Sequence, residues 1–136
     1  MSIAVAQARP DRLLRGALLG NALFSSVCGL AMIVAAGPIA GFMELEAVET
    51  LPGMGIGLLL FAADLVHQAT RQELSPLRAW ITVLADLGWI VGTAVLLIGF
   101  PALLGFMGKL IAVDVALVVA TFMILQWFGL RRLAAS

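Results

Sequence analysis

LRAWITVLADLGWIVGTAVLLIGF, residues 77–100, is the stretch whose reading decides the fold. Apart from Arg78 at its start and Asp86 in its first half, it is almost wholly apolar or small. It meets the ~20 residues that a helix needs to cross ~30 Å of hydrocarbon. Ser75 and Pro76 just before it supply an N-cap and a first-turn proline. Three more runs of the same kind lie at Leu13 to Ala36, Gly53 to Thr70 and Gly108 to Leu130. The expected fold class is therefore all-α: one domain over residues 1–136, an integral membrane bundle of four transmembrane helices in up-down order. Asp11 is placed to cap the first helix and Pro52 to open the second.

Composition supports this. Of the 136 residues 62% are hydrophobic and 12% charged, and the mean hydropathy is +1.11, where a soluble domain carries roughly 25% charged residues. So much apolar surface has no place in a water-soluble fold. A net charge of zero and a pI near 6.5 argue against a polyanionic partner such as nucleic acid. The single cysteine, Cys28, rules out an internal disulfide and any Cys-x-x-Cys motif. Arg9, Arg12 and Arg15 before the first run, with Ala35-Ala36-Gly37 after it, imitate a signal peptide. The apolar stretch exceeds the ~7–15 residues of a signal core, so a retained helix is expected.

Positive charge orients the chain, because translocating lysine and arginine is disfavoured. Arg9, Arg12, Arg15, Arg71, Arg78, Arg131 and Arg132 all fall on one side, and Lys109 opposes them. Both termini are thus expected in the cytoplasm, with the loop bearing Glu44, Glu46 and Glu49 outside. That loop, Gly37 to Pro52, also carries Ile39, Phe42, Met43, Leu45 and Val48 and suits a short interfacial helix. Trp80 and Trp127 fall near the cytoplasmic headgroup level. Small residues let membrane helices approach: Gly16/Gly20 and Gly88/Gly92 are the expected contact pairs, and Gly53, Gly55 and Gly57 thin the start of the second helix.

The costly residues are Asp64, Asp86 and Asp114, each disfavoured near a membrane centre by ~2.5–3.5 kcal/mol. Helical spacing aligns Asn21, Ser25 and Cys28, then Asp64, His67 and Gln68, then Thr82, Asp86 and Thr93. At ~1.5 Å per residue, Asn21, Asp64 and Asp86 fall ~9–12 Å from the cytoplasmic helix ends, with His67 and Gln126 slightly shallower. One polar layer is expected, with Asp64, His67, Asp86 and Asn21 as ligand- or proton-site candidates. Asp114, Ser25 and Gln126 are secondary, and Asp114 is expected in the outer half near Ser25, Ser26 and Cys28.

Two uses of that layer compete. A polar cavity can bind a cation, a proton or a ligand's head, since a desolvated carboxylic acid and an imidazole can exchange protons near neutral pH. Alternatively the carboxylates bond Asn21, Thr82, His67 or a buried water and fix helix register. A metal would find one histidine and two aspartates, and haem a single histidine with no attachment motif; no metal site or cofactor is expected. No nucleophile-base pair marks a catalytic residue.

Residues 29–41 with the Gly37-Pro38 break, followed by GMGIGLLLFA at 53–62, resemble in layout the small four-helix bacterial inner-membrane proteins that are loosely DoxX-like. ADLGW at 85–89 and QWFGLR at 126–131 are further distinctive segments. The resemblance implies a bacterial inner membrane, with no residue roles to carry over. The functional expectation is a non-enzymatic membrane protein, either a small polar-ligand or ion-binding bundle or an accessory subunit of a membrane complex. Its partners are then the bilayer and further copies or other chains. A small membrane enzyme or proton-coupled transporter using Asp64, His67 and Asp86 is the alternative.

Overall fold

The computed structural model describes residues 11–135, and among these all regular structure is helical. The five helices are α1 (Arg12–Val34), α2 (Ala36–Met43), α3 (Thr50–Thr70), α4 (Pro76–Gly99) and α5 (Phe106–Ala135). All but α2 are long and apolar enough to cross a membrane. Their outward surfaces carry large apolar side chains such as Leu23, Leu60, Leu84 and Leu117, each more than 60% exposed. A face of that kind is stable only against lipid or another apolar surface. The chain is a multi-pass membrane protein built as an all-α four-helix bundle.

Prolines set the boundaries. Pro38 has no N–H to offer the Val34 carbonyl and its ring crowds that oxygen. The helix accordingly breaks at Ala35 (φ −119°, ψ 34°) and restarts as α2. The interfacial segment expected in the first loop is therefore almost continuous with α1. It ends at Glu44 in the left-handed region (φ 54°, ψ 44°), whose N–H is given back to the end of α2. Pro52 lies in the first turn of α3 and Pro76 opens α4. The Ser75 hydroxyl accepts from the Arg78 N–H at 3.3 Å. Asp11 precedes α1 but its side chain caps nothing there; the carboxylate instead accepts from Arg15 Nε at 2.7 Å, a partner that competes for the same oxygen. The last helix continues five residues past the expected Leu130, through Arg131 and Arg132.

α1 lies at the centre, packed along α3 on one side and α5 on the other, and α5 in turn packs on α4. α3 and α4 are consecutive in sequence, yet their backbones stay apart and they meet through side chains. The core sits at the arginine-bearing end, where Leu14, Leu18, Leu65, Ala69, Ala79, Val83 and Leu130 converge. Past Asp86 no residue of α4 is buried, so its far half is packed loosely against the rest.

Close approach uses Gly20 and Gly55 of the expected glycines, together with Gly29 and Gly129. A first side-chain carbon on Gly55 would stand 2.5 Å from the Gly29 carbonyl oxygen, and one on Gly29 would stand 2.8 Å from that of Gly55. The α1–α3 seam exists because both side chains are missing. Gly129 likewise lies against the Leu14 backbone, and Gly20 beneath the Phe122 ring. Gly88, Gly92 and Gly16 have open space where a side chain would go. The expected α4 contact through Gly88/Gly92 is not made among the described residues, because both positions lie on the half of α4 that turns outward.

Candidate functional site

The polar residues of the bundle form two groups. In the first, α1, α4 and α5 each place one amide or carboxylate at the same point. The Asn21 amide donates to Asp86 Oδ2 at 3.0 Å and to Gln126 Oε1 at 3.2 Å, and Gln126 Nε2 donates to Asp86 Oδ2 at 2.8 Å. Ser25 donates to Asn21 Oδ1 at 3.3 Å. The triangle is closed to the outside, with Asn21, Asp86 and Gln126 between 0 and 4% exposed. The carboxylate has no charged partner in it; two amide N–H groups share its Oδ2, and this is how an aspartate is accommodated in an apolar interior.

The second group joins α3 to the start of α4. Arg78 ion-pairs with Asp64 Oδ1, and its other guanidinium nitrogen lies 3.1 Å from His67 Nδ1. Gln68 Nε2 donates to Asp64 Oδ2 at 2.7 Å and to Thr82 Oγ1 at 3.0 Å, and Thr82 donates to the Arg78 carbonyl at 3.1 Å. A guanidinium only donates, so His67 Nδ1 must accept and its proton sits on Nε2. Here access differs: the Asp64 and Arg78 side chains are 44% and 31% exposed, and His67 is exposed.

The structure thus brings Asn21, Ser25, Asp86 and Gln126 together, and separately Asp64 and His67. The single layer expected from depth is divided, because Arg78 draws Asp64 toward the helix end while the amides hold Asp86 inside. Thr82 and Asp86 lie one turn apart on α4, so the groups are neighbours, with no hydrogen bond between them among the described residues. Asp114 stands apart: it is exposed on α5, not turned toward Ser25, Ser26 and Cys28. No group of three metal-ligating side chains occurs among the described residues. Every buried side-chain N or O among them has a hydrogen-bond partner.

Two arginines tie separate helices together. Arg78 enters α4 only ~3 Å from its start, whereas Asp64 lies ~9 Å inside α3. The reach of an arginine spans that difference, and this was the available signal. Arg15 sends its guanidinium across to α3, donating to the carbonyls of Ala69, Arg71 and Gln72 at 2.7, 2.5 and 2.8 Å. The Ala69 carbonyl is an orphan acceptor of the α3 C-terminus, and Arg71 and Gln72 are the cap and first loop residue that follow it. Nothing in the local sequence around Arg15 announces a partner more than 50 residues away.

The bundle and its two polar groups define the class, a multi-pass helical membrane protein with one sealed and one accessible polar cluster. Comparison with protein-family models, with curated proteins and with solved structures finds no match.

Proposed function

We propose that this chain is a non-enzymatic protein of a bacterial inner membrane, with both ends cytoplasmic, that binds a small polar ligand at Asp64, His67 and Arg78. The observation that carries this reading is the contrast in access. The Asp86 triangle is shut and serves as a helix lock, whereas the half-buried Arg78 side chain, held by Asp64 and facing the imidazole, is accessible together with Asp64 and the exposed His67. A carboxylate or phosphate group suits such a place, because it competes with Asp64 for the planar guanidinium fork. The crowding of arginines at this end supports the orientation, and the DoxX-like layout supports the compartment.

His67 is the chain's single histidine, so one imidazole NMR signal reports on the site. Titration of the purified protein with acetate and with inorganic phosphate should give a saturable shift of that signal, abolished in Arg78→Gln and enhanced in Asp64→Asn. No saturable shift with either anion would dismiss the ligand site. Reporters at either terminus should read cytoplasmic, and one inserted between Glu44 and Glu49 should read external. A second reading, an accessory subunit or oligomer, is favoured by Asp114 and the Gly88/Gly92 face, all exposed on the outward side of α4 and α5. Crosslinking from Gly92→Cys in intact membranes separates that case.

A further inference from the structure

A groove on the opposite flank of α1 from α3 has no part in either polar cluster. It runs between α1 and α5 at the arginine-bearing end, with a volume of about 430 Å³. Leu13, Gly16, Phe122 and Leu125 line its apolar length, and Arg12 and Arg132 flank its mouth. Gly16 has nothing within 4 Å of where a side chain would stand, so the groove is open because that side chain is missing. From Arg132 to Phe122 is ~15 Å along the helix axis, about half the hydrocarbon thickness. A second recess, sharing Leu13, Leu125 and Arg132, continues toward Ala135 and adds Arg131. No ion pair joins Arg12 or Arg132 to a described carboxylate.

We propose that this groove binds an anionic glycerophospholipid, its phosphate on Arg12 and Arg132 and one acyl chain along Gly16 to Phe122. Charge and polarity are both complementary. Two exposed guanidinium groups at a membrane surface match a phosphate's oxygens, and basic recesses between transmembrane helices are sites of this chemistry. The apolar walls lead from that mouth into the membrane, where a soluble anion has nothing to gain.

The test uses the full-length protein in vesicles of mixed phosphatidylcholine and phosphatidylglycerol, with spin-labelled versions of each lipid reporting the immobilised fraction. The wild type should prefer phosphatidylglycerol by roughly fivefold for each engaged arginine. Arg12→Gln with Arg132→Gln should bring the two lipids to parity. Gly16→Leu keeps both charges, has room for its first carbon, and should reduce immobilisation of phosphatidylglycerol by filling the groove. Circular dichroism of each variant verifies the helical fold, and a soluble headgroup analogue, glycerol phosphate, should fail to compete. If Gly16→Leu leaves the preference intact, the groove is not the site, whether residues 1–10 fill it or the arginines act as a diffuse surface charge. Equal immobilisation of both lipids in the wild type, or full competition by glycerol phosphate, overturns it as well.

Discussion

Asn21→Val tests the helix lock by removing both polar groups of the side chain at once. The side chain is 1% exposed and makes two interhelical hydrogen bonds, to Asp86 and Gln126. Its bond to Ser25 stays within α1, and the freed serine hydroxyl can turn to a backbone carbonyl one turn back. Interhelical hydrogen bonds in membranes average ~0.6 kcal/mol and reach ~1.7. One of the two here ends on a carboxylate, which places it in the upper part of that range. The expected cost is about 2 kcal/mol. Equilibrium unfolding in mixed micelles of increasing dodecyl sulfate measures it. The same substitution made in an Asp86→Leu background should cost under ~1 kcal/mol, since the chief partner is already gone, while Asp86→Asn alone keeps an acceptor oxygen and should be mild. An Asn21→Val cost that is equal in both backgrounds, or indistinguishable from zero in the first, would refute the lock.

Gly55→Leu should prevent close packing of α1 on α3 and lower stability by more than ~2 kcal/mol, in the range of overpacked cores, whereas Gly88→Leu should be silent in the same unfolding assay. Equal effects would place Gly88 in a contact between chains. Asp114→Leu should stabilise by about 1–3 kcal/mol, because an exposed aspartate is exchanged for a residue that favours lipid; a loss of stability or of a co-purifying chain would mean that Asp114 is covered. Arg15→Lys retains the positive charge but not the fork that reaches three carbonyls. It should leave topology unchanged and cost about 1–2 kcal/mol, read as faster amide exchange at the end of α3; unchanged exchange would count against the staple.

The four long apolar runs, the Ser75-Pro76 start and the position of Pro52 were legible because they follow from rules local in sequence: bilayer thickness, proline's missing N–H and capping. Asn21, Asp86 and Gln126 were legible as members of one layer, though together with Asp64 and His67, since depth follows from counting residues along each helix. Counting gives height and no azimuth, however. Nothing in it says that Asp64 leans toward Arg78, that Asp114 faces outward, or that Gly29 and Gly55, and not Gly88 and Gly92, form the seam. Those outcomes depend on which faces of separate helices meet. Asp64 is the plainest case: alone in α3 it is an uncompensated charge with several remedies, and only the docking of α4 beside it supplies the guanidinium. The sequence by itself determined that the chain crosses a membrane as helices, because backbone hydrogen bonds must be met within each spanning segment. Which polar groups are sealed and which stay open was decided by tertiary structure alone, since burial is a property of the packed helices together.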